Sequence, residues 1–320
     1  MFDIVALGEL LIDFTPRGLS EQGSYIFEAN SGGAPCNVLA AVRKLGKSAA
    51  FIGKVGADMF GRFLKETIDK LGIDSSGLLL SDTYFTTLAF VKLDDQGNRE
   101  FSFSRNNSAD VMLRPEEVNP DQIRDARIFH CGTLSLTHPD SRAALLKGLD
   151  LAREHGVLIS VDPNLREPLW KDLEEAKAAI RLALSYADII KISDYELEFL
   201  YKEADVVKAA KMLQAEFAPK ILFATCGKEG AYLLKDDILV HHPCFNSVKT
   251  IDTTGAGDSF CGAALSCLLD RELDFDGLDE TACRELLRYA SAAASLATAK
   301  RGAIPAMPTP NEIEALLHAE

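Results

Sequence analysis

The sequence predicts an α/β protein: an α/β/α sandwich on a mainly parallel central sheet, with a small β-sheet lid. Three observations carry this expectation. Short apolar runs at 128–131, 158–161, 189–192 and 221–224 alternate with helical stretches, as in successive parallel β-α-β units. Upstream, two runs at 86–93 and 99–105 flank Asp94-Asp95-Gln96-Gly97-Asn98, which reads as a β-hairpin. Finally, 320 residues with 47% apolar and 26% charged content suffice for a full core and a small appendage.

Residues 2–7 form a first strand ending at Gly8-Glu9, with Asp13 shortly after it. A dinucleotide fold would place Gly-x-Gly-x-x-Gly here, and only Gly8 is present, which weakens an oxidoreductase reading. Taken by itself, Asp13 reads as a turn acid that ends a strand. Gly32-Gly33 open a helix with Pro35 near its start and Gly46 as its stop. Asn37 in its first turn offers both a donor and an acceptor, although an ordinary Gly-rich turn reads the same way. Gly46-Lys47-Ser48 ends like a P-loop, but Ala41 stands where that motif needs glycine, and the segment closes a helix. A strand at 49–54 and a helix at 59–71 follow. Period two in the hairpin puts Arg99, Phe101, Phe103 and Arg105 on one face, suited to a lid or to a core-facing hairpin with arginines at its rim. Asn106-Asn107-Ser108 fits a glycosylation acceptor without a secretory context.

Helices are expected at about 139–155, 173–186 and 194–217, the last broken near Ala204, and at 285–299. In such sheets ligands bind beyond the carboxyl ends of the strands. Asp162-Pro163-Asn164-Leu165-Arg166, Ser193-Asp194-Tyr195-Glu196 and Thr225-Cys226-Gly227-Lys228-Glu229-Gly230 all fall there. Arg166 is a phosphate clamp or half of an ion pair. Glu196 holds water around Mg²⁺ or caps a helix.

The densest motif is Asp252-Thr253-Thr254-Gly255-Ala256-Gly257-Asp258, where an extended segment at 248–251 enters an apolar helix. A helix start leaves N–H groups unpaired at the positive end of its dipole, a ready anion site. Asp258 puts a carboxylate there, which suits a helix cap or a base that takes the proton of an attacking hydroxyl. This stretch resembles the C-terminal signature of the ribokinase-like (PfkB) sugar kinases. The Gly-Glu-Leu-Leu-Ile-Asp opening, Gly-Gly-Ala-Pro, Arg-Asn-Asn-Ser-Ala-Asp and Asp-Pro-Asn-Leu-Arg are most similar to the fructokinases within that family.

The resemblance implies ATP-dependent phosphorylation of a sugar, with fructose giving fructose 6-phosphate. Asp258 would be the base, with Gly255, Ala256 and Gly257 as the anion hole beside Arg166. Asp13, Gly32, Gly33, Asn37, Phe103 and Arg105 would hold the sugar, and Lys191, Thr225, Gly227, Gly230 and Thr253 the ATP. Glu196 would reach Mg²⁺ through water, although Ser193 stands where Asn is usual. Asp252, Thr254 and the carbonyls of Ala297, Lys300 and Gly302 would take K⁺, with Ala306 where some relatives have Ser. The large domain would comprise residues 1–13, 32–84 and 109–320, and the lid 14–31 and 85–108, with a homodimer through the lid. A kinase for 2-keto-3-deoxygluconate, ribose or a nucleoside, or a non-catalytic sensor, stays open on the same motifs.

Composition bounds the remaining classes. Net charge is 34 minus 48, or −14, which disfavours a nucleic-acid surface. Seven cysteines without a Cys-x-x-Cys pair argue against zinc and disulfide frameworks and for a reducing, cytoplasmic setting. Met1-Phe2-Asp3-Ile4 reads as a strand rather than a signal, and no membrane partner is expected. His241-His242 reads as a solvated loop pair rather than a metal site.

Overall fold

The computed structural model describes residues 1–93 and 99–319. The chain opens with strands β1 (Phe2–Leu7), β2 (Leu11–Leu19) and β3 (Tyr25–Gly32), then helix α1 (Ala34–Lys44). Next come β4 (Ala49–Gly56), α2 (Met59–Lys70) and β5 (Asp74–Ser81). β6 (Leu88–Leu93) and β7 (Arg99–Ser104) flank the expected turn at 94–98, which lies outside the described residues. The alternating half runs α3 (Pro120–Arg124), β8 (Ala126–Cys131), α4 (Pro139–Glu154), β9 (Leu158–Val161), α5 (Leu173–Leu184) and β10 (Ile189–Ser193). It continues as α6 (Asp194–Tyr201), α7 (Val206–Phe217), β11 (Ile221–Thr225), β12 (Ala231–Lys235) and β13 (Ile238–His242). Three helices close the chain: α8 (Ala256–Asp270), α9 (Glu280–Thr298) and α10 (Pro310–Ala319).

Nine strands form one sheet in the order β13-β12-β11-β10-β9-β8-β1-β4-β5, parallel except at β12 and β13. Both faces are covered, so its strands alternate between two cores: Ile4 and Ala6 face one, Val5 and Leu7 the other. The first core packs Leu39 of α1, Leu64 of α2, Leu265 of α8 and Leu286 of α9. The second packs Leu149 of α4, Ile180 of α5 and Leu213 of α7. Strand order reverses about β1, which pairs with β4 on one side and β8 on the other. That reversal opens a crevice at the carboxyl ends, where ligands bind in such sheets.

The second sheet has the order β3-β2-β6-β7. Its strands begin at Leu11 and its second ends at Gly32, so Asp13 and Gly32 both lie on small-sheet strands. Phe14 of β2 stacks on Phe90 of β6 at 5.0 Å and meets Phe60 of α2 edge-on at 5.6 Å. These rings seat the small sheet on α2, since aromatic contacts bury much area in fixed geometry.

One expectation about the later elements holds, and others differ. The 194–217 stretch is two helices with the expected break, because Lys202 adopts a left-handed conformation at the end of α6. Residues 248–251 form no strand; instead the Ile251 and Asp252 amides both donate to the Thr298 carbonyl. His241 and His242 lie on β13, with the His241 ring 4.5 Å from that of Tyr232. The β12–β13 hairpin turns at Asp236-Asp237, with Asp236 at φ 49°, a turn the acidic pair could have signalled.

Candidate active site

Helix α8 starts at Ala256 behind Gly255, whose φ is 75° and whose missing Cβ would lie 2.8 Å from the Ala303 methyl. Only glycine combines that backbone with that approach. No side chain caps the helix. Asp258 is therefore not the cap: its Oδ2 accepts from Asn37 Nδ2 at 2.8 Å, across from α1. The first ladder bond runs from the Ser259 amide to the Gly255 carbonyl, so the amides just before it are the free-standing ones of a helix start. Ala256 donates a long 3.3 Å bond to the Thr253 carbonyl, which makes it the weakest member of the expected donor set.

Asp258 is half-buried by area, because the cavity reaches it, but protein surrounds its carboxyl closely. That enclosure, with the Asp162 carboxylate nearby, pushes it up to about 6; Asn37, Lys191 and Arg166 pull the other way. A base with that affinity is mostly ionised at neutral pH and still accepts a proton readily. Lys191, in the middle of β10, is buried and paired with Asp162 at 3.0 Å. Its ammonium lies 3.0 Å from where a Gly257 Cβ would be, so the glycine leaves room for it. Arg166 Nη1 donates to the Leu165 carbonyl at 3.0 Å, which holds its guanidinium beside the same cavity.

Glu196 is a capping residue as well as a cavity residue. Its Oε2 accepts from the Ser193 amide and hydroxyl, and its Oε1 from the Leu165 amide at 2.7 Å. With three of about four acceptor positions taken, direct metal ligation is disfavoured and a contact through one water fits.

One cavity of about 290 Å³ collects Asp13, Gly33, Asn37, Phe103, Arg166 and Asp258. Gly32 and Gly33 are steric requirements. A Cβ on Gly32 would sit 2.1 Å from Asp13 Oδ2, and one on Gly33 (φ 120°) 2.3 Å from the Glu9 carbonyl. The start of α1 is partly occupied, since Ala34 N–H donates to Glu9 Oε1 at 2.9 Å. Burial raises the Glu9 carboxyl to about 7. Asn37 Oδ1 is buried without a partner among the described residues, a group that a substrate hydroxyl could satisfy. Sequence alone does not single out Glu9, Asn164 or Tyr195, which also line this cavity.

A second cavity, about 570 Å³, lies on the other side of the α8 start and holds Thr225, Gly227, Gly230 and Thr253. Gly230 has φ 94°, and a Cβ there would lie 2.1 Å from the His242 carbonyl. One wall is the small-residue face of α9, Ser291, Ala294, Ser295 and Thr298; Phe245 and Asn246 close another. Those last two carry no sequence signal, because they come from the irregular segment after β13. The two cavities share Lys191, Ser193, Thr253 and Gly257.

Behind the α8 start, Asp252 Oδ1 accepts from the Thr254 amide (2.9 Å) and hydroxyl (2.7 Å), and Oδ2 from Gly302 N–H (3.1 Å). Lys300 N–H bonds the Ala297 carbonyl at 3.4 Å. Asp252 thus ties the 252–254 loop to the turn after α9. Among the described residues no group of three His, Cys, Asp or Glu could hold a metal by itself.

Arg105 lies apart from both cavities. It is buried, pairs with Asp110 (Nη2 at 2.7 Å), and donates to Thr137 Oγ1 and the Leu134 carbonyl. Its donors are committed to fastening the end of β7 to the floor after β8. The side chains of Arg99 and Phe101, expected on the same face, lie outside the described residues.

Comparison with known proteins defines the class. The pfkB family carbohydrate kinase pattern matches residues 1–310, and the chain belongs to that family. It is 44% identical over 315 residues to the probable fructokinase-3 of Arabidopsis thaliana, covering 98% of this chain and 90% of the relative. The fructokinase of Xylella fastidiosa with bound ATP superposes with a TM-score of 0.90 at 31% identity, covering 100% of this chain and 99% of that one. A double mutant of the Vibrio cholerae O395 fructokinase, in a fructose-, ADP- and potassium-bound form, gives 0.88 at 30% identity, covering 99% and 98%. This chain is accordingly a carbohydrate kinase.

The geometry of Arg105 yields a test. Arg105→Ala leaves Asp110 charged and buried, and should lower the unfolding free energy by about 3–5 kcal/mol in denaturant titrations. Unchanged stability with a raised sugar KM would instead assign Arg105 to substrate contact.

Proposed function

We propose that this chain transfers the γ-phosphoryl group of ATP to the terminal hydroxyl of D-fructose, giving D-fructose 6-phosphate. The observation that carries the reading is the position of Asp258, on the wall of the acceptor cavity and one residue from Gly257, which both cavities share. Asp13, Gly33 and Asn37 hold the sugar so that its hydroxyl meets the Asp258 carboxylate. The hydroxyl oxygen forms a bond to the γ-phosphorus, the bond to the β-bridging oxygen breaks, and the proton passes to Asp258. The Gly255, Ala256 and Gly257 amides, with Arg166 and Lys191, receive the charge on the transferring group and on ADP.

ATP lies along Thr225, Gly227, Gly230 and Thr253, with its base toward the small residues of α9. Mg²⁺, when bound, supplies charge neutralisation at the phosphates, and Glu196 would meet its hydration shell. K⁺ is proposed behind the anion hole, at Asp252, Thr254 and the carbonyls of Ala297, Lys300 and Gly302. The two loops there are already drawn together by Asp252, and the Vibrio relative is described with potassium. Seven free cysteines suit a reducing cytoplasm. The small sheet leaves Tyr25 78% exposed, with Ile26 and Phe27 beside it, an apolar edge suited to a second copy of the chain.

Three outcomes are expected. The acid limb of kcat/KM should fall with an apparent midpoint near 6, because only ionised Asp258 accepts the proton; Asp258→Asn should reduce kcat by roughly 10²–10⁴-fold with ATP affinity kept. In an ADP-release assay over a sugar panel, fructose should exceed ribose and 2-keto-3-deoxygluconate, and turnover should rise with added K⁺. A better signal from another sugar reassigns the substrate, and indifference to K⁺ removes the ion. Sedimentation should give a dimer that Tyr25→Asp weakens; a monomer at all concentrations refutes the lid contact.

A further inference from the structure

Asp162 is the first residue after β9, buried, and outside the set of residues given a role above. One of its oxygens bonds Lys191 Nζ at 3.0 Å. The other, Oδ1, is buried with no hydrogen-bond partner among the described residues. A carboxylate kept only for stability would have both oxygens satisfied, since leaving one bare in the interior is costly. Its partner also stands at a particular place: Lys191 borders both cavities, and Gly257 makes room for it at the start of α8.

We propose that Asp162 is a positioning residue for phosphoryl transfer: it holds the Lys191 ammonium at the seam between the cavities, beside the start of α8. The proposal rests on the reading of Asp258 as the base. Around Asp258 the charged groups are Asp162 and Arg166 from the loop after β9 and Lys191 from β10, with Asn37 donating from α1. Asp162 strengthens the hold of Asp258 on a proton, and the two cations weaken it. On the far side of Lys191, Glu196 adds negative charge, while His130 is kept neutral by burial and by Lys191 itself. The arrangement meets two opposed needs. Two cations at the seam favour an incoming anionic group but would make Asp258 a weak base. Asp162 restores its basicity and denies Lys191 the alternative of pairing with Asp258.

The test is the pH dependence of kcat/KM in the full chain. Asp162→Asn keeps shape and removes the charge, so the acid limb should move down by roughly one pH unit while kcat on the plateau falls about tenfold or more. Asp162→Glu should return the limb toward its original place. A limb that stays put in folded Asp162→Asn overturns the proposal, as a purely structural aspartate would change yield and stability only. Should Asp162→Asn not fold, Lys191→Gln carries the test: its limb should move up, and an unmoved limb is equally fatal. Failure of the underlying reading has a separate signature, namely near-normal turnover in Asp258→Asn. If that variant is inactive and the limbs are unmoved, only the role of Asp162 falls.

Discussion

The contact between α1 and α8 governs the chemistry of this molecule. Gly262 lies where a side chain would collide with the Ala41 methyl at 2.6 Å and the Val38 carbonyl at 2.9 Å. Its absence lets the two helices close to backbone distance, and Asn37 one turn earlier then reaches Asp258. The starts of both helices, each entered through a glycine with positive φ, thereby open into one cavity. Two sets of amide donors and the acid between them are fixed by packing in the large core rather than by loop conformation.

Electrostatics follow from that packing. Around the seam, Lys191 feels the charges of Asp162, Glu196 and Asp258, and Asp258 feels those of Asp162, Lys191 and Arg166. Burial away from water, with the Asp162 charge added to it, is why the Asp258 carboxyl leaves its ordinary range. The surface pairs, such as Arg284 with Glu280, contribute little by comparison.

Much of this was legible in the sequence because its signals are local. The alternation after residue 127 announces the parallel sheet, and the seven residues ending at Asp258 announce the helix start. Gly32 and Gly33 are visible as a pair, although their reason, the nearby Asp13 carboxylate and Glu9 carbonyl, is not. What stayed hidden depends on distant partners. Arg105 finds acceptors 29 and 32 residues away, and no spacing rule distinguishes that from a guanidinium facing solvent or substrate. Glu9 reaches 25 residues to the α1 start, and Ser193 with Glu196 makes a capping box that doubles as a cavity wall. The β12–β13 hairpin escaped because the helical alternation before it sets a rhythm that it breaks.

The placement of Asp13 has a consequence for the cavity that Asp258 lines. It belongs to β2 of the small sheet, whereas Asn37 and Asp258 belong to helices of the large domain. The wall of that cavity is therefore drawn from the small sheet and from two helices of the large core at once. The small sheet meets α2 where Phe14 packs edge-on against Phe60, so the position of Asp13 on the wall depends on that contact. Loss of the Phe14–Phe60 contact would therefore unfasten the strand that carries Asp13 while leaving Asn37 and Asp258 bonded to each other.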